Sequence, residues 1–333
     1  MPSMQKRAFV TGASGFVGGA LAERLIADGW QVVALVRATS NTSKLESLGA
    51  ELVVGDVCQA DGLLDVMAGS DVVFHCAALT GVGHRVEDFQ RVIAGGTDNL
   101  LAVARGASVK RFIFVSSVAV YELNGVSRCD EQRPLLTSSI DPYANAKIAA
   151  ETACLGAHQA GHFEVSIVRP VFIYGAGDRP GGFLPELVSM MTQGKFKLIG
   201  GGCNRIPLVY VSDLADLLVR CAERPEAAGQ VYNACSKGSP TWRDMVQSLC
   251  SGLGIKQPGS VPASLVRPLA GLMESLVRLK LLRTLPVSKA AVNLLAEDVA
   301  FPTDKAERDL GYVSRVSFSE GMAHTLPSLQ ALQ

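Results

Sequence analysis

Short apolar runs recur through the first half of the chain, at 8–11, 32–36, 52–54, 72–75, 112–115 and 165–168. Each is four or five residues long or shorter, dominated by Val, Ile, Leu, Phe or Ala, with little polar alternation. That is the pattern of strands buried on both faces of a parallel sheet. Between them, 15–27, 59–68, 85–105 and 142–160 carry apolar residues at helical spacing,. Strand and helix alternate, so the pattern predicts crossover connections and an α/β fold with a doubly wound parallel sheet. A helix over 212–222 and a strand over 231–234 predict a late return to that sheet. After Pro170 the rhythm breaks: glycines cluster at 175–177, 181–182 and 200–202, and Pro225, Pro240, Pro258, Pro262, Pro268 and Pro286 separate the later helices,. A smaller, mostly helical C-terminal domain is expected there. The expected boundaries are 1–170 for the sheet domain, with 206–235 returning to it, and 171–205 plus 236–333 for the smaller one.

Composition narrows the class. The 333 residues are 48% hydrophobic and 19% charged, too apolar for a disordered chain,. Thirty-one Lys and Arg balance thirty-one Asp and Glu, so no basic field exists to drive nucleic-acid binding,. The eight cysteines contain no C-x-x-C pair and are read as buried hydrophobes of a reducing, cytoplasmic setting; with His they form no ligand spacing, so no metal is expected,. Glu23 and Arg24 interrupt the N-terminal apolar stretch before a signal-peptide core forms, and no run is long enough for a membrane span,.

The first candidate for chemistry follows the first strand directly: Thr11-Gly12-Ala13-Ser14-Gly15-Phe16-Val17-Gly18. Gly12 and Gly15 let the backbone turn tightly against a pyrophosphate, the N–H groups around Ser14, Phe16 and Val17 point at it, and Gly18 lets helix pack on strand. Between strand and helix, this G-x-x-G-x-x-G run predicts a dinucleotide site and makes the sheet domain Rossmann-like. At the end of the second strand stands Arg37, where an NAD site would place a carboxylate for the ribose,. A guanidinium suits a 2′-phosphate, so NADP(H) is favoured, with NAD(H) the other option. Asp56, followed by Val57 after the third strand, is placed at the adenine; its other reading is a turn cap,.

Tyr143 and Lys147, four apart at the start of a helix, share one face,. An ammonium beside a phenol favours the phenolate, and bringing a tyrosine from about 10 toward neutrality takes roughly 4 kcal/mol. Lys147 in a partly dry site, with an oxidised nicotinamide, is expected to supply it. Together with Phe114-Val115-Ser116-Ser117-Val118-Ala119-Val120-Tyr121, which closes the preceding strand, these residues make the chain similar to the extended short-chain dehydrogenases/reductases over essentially its whole length. The resemblance makes Ser117 the hydroxyl that hydrogen-bonds the substrate oxygen, with Ser116 the alternative. His75-Cys76-Ala77-Ala78 resembles the strand end beneath the cofactor, and Arg169-Pro170-Val171-Phe172-Ile173-Tyr174-Gly175 the stretch beside the nicotinamide. Ala77, Ala78, Pro170 and Ile173 thereby join the cofactor set, and Thr80, Tyr174 and Arg205 the substrate set. His75 is read as a packed strand-end histidine. Gly96-Thr97-Asp98-Asn99 fits the family's G-T-x-N, and Ile93 stands where a polar residue is often found.

Two branches of that family compete. Arg37 and the loop Leu79-Thr80-Gly81-Val82-Gly83-His84 depart from nucleotide-sugar 4-epimerases and dehydratases, whereas Arg205 would clamp a diphosphate. Leu265, Leu269, Leu272, Leu276 and Leu279, at helical spacing with Arg267, Glu274 and Arg278 interspersed, are similar to the cap of 3β-hydroxysteroid dehydrogenases and reductases of hydrophobic 3-oxo compounds,. The same stripe also reads as plain core packing or as contact with a membrane surface. The expected function is hydride transfer between NAD(P) and a secondary alcohol or ketone, with Tyr143 as proton donor, Ser117 orienting the carbonyl and Lys147 holding the ribose. A small-molecule substrate and a homodimer through 85–105 and 142–160 are implied. The reading from another class is a non-catalytic dinucleotide sensor.

Overall fold

The computed structural model describes residues 5–332 except 82–83, 124–125, 138, 140, 267 and 269–296. In chain order the described strands are β1 (Arg7–Thr11), β2 (Gln31–Val36), β3 (Glu51–Val54), β4 (Val72–His75), β5 (Arg111–Val115), β6 (Glu164–Pro170), β7 (Phe172–Tyr174), β8 (Leu198–Ile199), β9 (Leu208–Tyr210), β10 (Gln230–Ala234) and β11 (Ser260–Val261). Among the described helices are α1 (Phe16–Ala27), α2 (Ser43–Ser47), α3 (Leu63–Met67), α4 (Val86–Phe89), α5 (Gly96–Gly106), α6 (Pro142–Gln159), α7 (Phe183–Thr192), α8 (Val211–Glu223) and α9 (Trp242–Leu253). Two more follow, α10 (Asp304–Leu310) and α11 (Phe318–Gln330).

Seven strands form one parallel sheet in the order β3-β2-β1-β4-β5-β6-β10. Its inner strands are sealed on both faces, which is why they read as unbroken apolar runs. Leu21 and Leu25 of α1 with Leu214, Leu217 and Leu218 of α8 cover one face. Leu63 and Met67 of α3, Leu100 of α5 and Ala146 and Ala150 of α6 cover the other. The strand order reverses between β1 and β4, and an open α/β sheet binds its ligand at that reversal, beyond the carboxyl ends of the strands,.

The predicted 85–105 helix forms, but not as one regular coil. α4 passes through a π-helical turn, Gln90–Gly95, into α5. Thr97 Oγ1 donates back to the Ile93 carbonyl at 2.6 Å, and Gly96 lies so close to Val57 that an added Cβ would stand 2.9 Å from its side chain. Asn99 Nδ2 donates to the Val57 carbonyl. The G-T-x-N residues thus fasten the central helix to the loop after β3.

A second cluster gathers α7, α9, α11 and the β7–β9 pair around Tyr174, Tyr210 and Trp242. Phe172, Phe183 and Phe196 pack against Trp242. The division differs in detail from the expected boundaries. Leu208 and Tyr210 belong to this smaller cluster, whereas Val299, Phe301, Leu310 and Tyr312 are buried with the sheet. Lys305 explains the latter: its Nζ donates to the Gln230 side chain and the Val231 carbonyl, fixing α10 to β10. Most of the amphipathic stripe between Leu265 and Leu279 lies outside the described residues. Among the described residues no helix is long and apolar enough to cross a membrane. The cysteines are unpaired, and Cys129, Cys154, Cys221, Cys235 and Cys250 are buried.

Candidate active site

The turn after β1 has no room for side chains. Gly12 has φ +68°, which only glycine adopts freely, and a Cβ there would lie 2.7 Å from the backbone nitrogen of Ala77,. The turn therefore abuts the strand end of β4, at the reversal of strand order. A Cβ on Gly18 would stand 2.2 Å from the Gly12 carbonyl oxygen. The N-cap of α1 is Gly15, with no side-chain cap and no acidic residue in the first turn. The helix start thus keeps free N–H groups and an uncancelled dipole, which is what a pyrophosphate requires. Ser14, Phe16 and Val17 sit within this cradle. Gly18→Ala is expected to cost about 2 kcal/mol through overpacking and to weaken dinucleotide binding about tenfold. Thermal unfolding and NADPH fluorescence titration check both.

Tyr143 and Lys147 lie on α6, which Asp141 starts by accepting the Tyr143 N–H at 2.9 Å. Ser117 is the first residue of the turn that ends β5, its Oγ accepting the Ala119 N–H at 3.2 Å. With that lone pair engaged, its O–H is left to donate. The Ser117 hydroxyl lies near enough to the Tyr143 phenol to favour its ionised form. The site therefore brings together Ser117 and Tyr143, and Lys147 lies one turn further along α6, its Nζ 5.9 Å from the Tyr143 ring centre.

Electrostatics in this site differ from the expectation of a lowered phenol. Burial pushes the Tyr143 phenol up to about 12, against the opposing pull of the nearby Ser117 hydroxyl. Lys147 makes no such contribution. Its Nζ, 2% exposed, donates to the Val115 carbonyl at 2.7 Å and lies over the Phe114 ring. Burial brings this ammonium down to about 8, so it is still mostly charged at neutral pH.

His75 is completely buried. Thr11 Oγ1 accepts the Ala77 N–H, and lies 2.8 Å from His75 Nδ1. On the other side Nε2 lies 3.0 Å from Thr97 Oγ1, whose proton goes to Ile93. The chain of donors assigns His75 the neutral form with its proton on Nε2, and burial holds the ring far below its usual range, at about 3. It braces β1, β4 and α5.

The remaining residues are spread around the same carboxyl edge. Arg37 is exposed at the end of β2, and among the described residues its guanidinium has no ion-pair partner. Asp56 accepts the Cys58 N–H at 2.9 Å, so it caps its turn, and Val57 is buried beneath α5. Ala77 and Ala78 are half-buried after β4, Thr80 is exposed, Pro170 closes β6, and Ile173 is half-buried in β7. Tyr174, only 1% exposed, packs edge-on to Tyr210, and its hydroxyl would lie 2.4 Å from a Cβ on Gly321. Its side chain belongs to the core of the smaller cluster. Arg205 lines a separate cleft of about 360 Å³ with Ser127, Cys235, Ser236, Asp298 and Phe301. There its Nη1 donates to the Ser239 carbonyl at 2.6 Å.

Comparison with known proteins fits this geometry. The model of the NAD dependent epimerase/dehydratase family matches residues 8–235. A 4-hydroxy-2-methyl-3-oxo-4-farnesyl-3,4-dihydroquinoline-1-oxide ketoreductase of Stigmatella aurantiaca is 35% identical over 319 residues, 95% of this chain and 94% of that protein. A 2-alkyl-3-oxoalkanoate reductase of Stenotrophomonas maltophilia is 30% identical over 328 residues, 94% of this chain and 96% of that protein. Among solved structures, UDP-glucuronic acid 4-epimerase from Bacillus cereus, in complex with NAD, shares the fold with a TM-score of 0.77 at 22% identity, covering 98% of this chain and 99% of its own.

Proposed function

Because the chain belongs to the NAD dependent epimerase/dehydratase family, among the extended short-chain dehydrogenases/reductases, we propose that it is a nicotinamide-dependent ketoreductase of a hydrophobic 3-oxo compound. The observation that carries this reading is the placement of Tyr143 and Lys147, one turn apart on α6, beside the Ser117 turn at the carboxyl edge of the sheet, and the names of the two reductase relatives support the reductive direction. A ketone that gains a hydride at carbon needs a proton at oxygen, and Tyr143 holds one. Ser117, its oxygen occupied by the Ala119 N–H, donates its own hydrogen to the carbonyl and orients it,. Lys147, one turn further along α6, would hold the nicotinamide ribose. The nicotinamide, when bound, supplies the hydride; the Gly12–Gly18 turn and α1 hold its pyrophosphate. Names of the two relatives support a 3-oxo group flanked by an alkyl or prenyl chain as the substrate class.

NADP(H) is the favoured cofactor in this reading, with Arg37 on the 2′-phosphate and Asp56 near the adenine. The reading also includes a cytoplasmic homodimer that pairs through α5 and α6. A spectrophotometric screen with NADPH and NADH in parallel, on 2-alkyl-3-oxoalkanoates, prenylated cyclic ketones and nucleotide sugars, tests it. Net NADPH oxidation with an apolar ketone is expected, and Arg37→Ala should reduce the preference for NADPH over NADH about tenfold, a charge-assisted contact being worth roughly 1.5–3 kcal/mol. Conversion of a nucleotide sugar to its isomer without net redox change would replace this reading with the epimerase.

A further inference from the structure

Behind the catalytic residues lies a buried ion pair that the chemistry above does not use. Glu151 stands on α6 one turn beyond Lys147 and on the same face, so Tyr143, Lys147 and Glu151 form one row,. Its side chain is 1% exposed and that of its partner, Arg169 of β6, is 4% exposed. The pair is a fork: Nε donates to Oε1 at 2.9 Å and Nη2 to Oε2 at 2.5 Å. The guanidinium also lies 4.7 Å from the ring centre of Tyr121. Tyr121 ends the turn that Ser117 begins, and its hydroxyl donates to Asn233 of β10 at 2.7 Å. Asn233 in turn donates to the Cys129 carbonyl. One guanidinium therefore touches both the helix that carries Tyr143 and Lys147 and the turn that carries Ser117.

We propose that Glu151 and Arg169 are positioning residues for the reaction: Glu151 is the counter-charge of Lys147, and Arg169 locks the Lys147 helix to the Ser117 turn. The surroundings of Lys147 support the first half. The titratable groups that face it are His75 and Cys76 at the end of β4, and Tyr143, Glu151 and Cys154 on α6. Burial holds His75 down and pushes the Cys76 and Cys154 thiols and the Tyr143 phenol up, and the carboxylate among these groups is that of Glu151, paired with Arg169. The second half follows from rigidity: a bidentate guanidinium–carboxylate fork fixes orientation as well as distance, and Tyr143 and Ser117 stand on the two parts it joins.

This inference rests on the ketoreductase reading, and its test separates the two. Removing only Glu151 would leave Arg169 buried without a counter-charge and endanger folding, so the informative variant is Glu151→Leu with Arg169→Met, because apolar replacement of a buried pair is commonly neutral for stability. Three quantities are measured: thermal midpoint, kcat and KM for NADPH-dependent ketone reduction, and the titration of Lys147 by NMR on protein with 13C-labelled lysine. The expected result is a midpoint within a few degrees of wild type, kcat about tenfold lower with KM little changed, and Lys147 titrating about one pH unit lower. A folded double variant with wild-type kcat and wild-type Lys147 titration overturns the proposal. Absence of ketone turnover by the wild-type protein overturns the ketoreductase reading instead, and the Lys147 titration then still decides whether Glu151 is its counter-charge.

Discussion

Tyr143→Phe is expected to lower ketone reduction about 10³-fold, within the range typical of a lost general acid, while thermal stability and NADPH affinity stay close to wild type. The hydroxyl is the only group removed. Ser117, which the phenol faces, retains the Ala119 N–H as a partner. The ring keeps its edge-on packing with Phe89, so the substitution separates chemistry from folding. Stopped-flow reduction and fluorescence titration of NADPH measure the two sides; loss of NADPH binding together with activity would mean that Tyr143 acts on the cofactor site and not as the proton donor. The pH dependence has a definite sign. Reduction needs the protonated phenol, and with that group at about 12 its protonation does not limit the rate between pH 6 and 9. Alcohol oxidation needs the phenolate and should rise with pH. Ser117→Ala removes the hydroxyl that lowers the phenol, so it should move that rise to still higher pH.

The sheet and the dinucleotide cradle were legible because each rests on local necessity. A strand sealed on both faces must be apolar throughout, and a turn whose Cβ positions are filled by Ala77 and the Gly12 carbonyl must be glycine. The Tyr143 and Lys147 pair was legible from helical spacing alone. What sequence did not disclose was the balance of forces around that pair. The expected lowering of the phenol rested on an ammonium in a partly dry site together with an oxidised nicotinamide. In the folded site the Lys147 ammonium is committed to the Val115 carbonyl, and desolvation, a property of everything packed around the ring, outweighs what remains,. The burial of Tyr174 was hidden for a related reason: Gly321, which lies against its hydroxyl, is distant in sequence and belongs to α11. Arg169 appeared in the sequence only as one letter of a strand end. Its pairing with Glu151 becomes visible once β6 lies beside β5 and α6 folds back over both.

Lys147→Met is expected to abolish most activity, by about 10²-fold or more, without a matching loss of stability. The argument is one of opposing terms. Burial lowers the Lys147 ammonium from its usual value of 10.5 to about 8, so at neutral pH the folded protein bears a cost of about 3 kcal/mol for keeping this group charged. Met fills similar volume without that cost. Against it stands the Val115 carbonyl, which loses its bond to Nζ, a penalty of about 1–3 kcal/mol for a buried acceptor. The two nearly cancel, and the variant should melt within a few degrees of wild type at pH 7. The sign of the pH dependence sharpens the test. A lysine whose folded value lies below its unfolded one binds fewer protons when folded, so wild-type stability should rise between about pH 8 and 10.5 from this group,. Lys147→Met lacks that rise, and the gap between the two stability curves should widen in favour of wild type across that window. Urea unfolding at a series of pH values measures it. Parallel curves would mean that folding leaves the Lys147 ammonium unshifted, so that it stays charged across that window and burial does not act on it as argued.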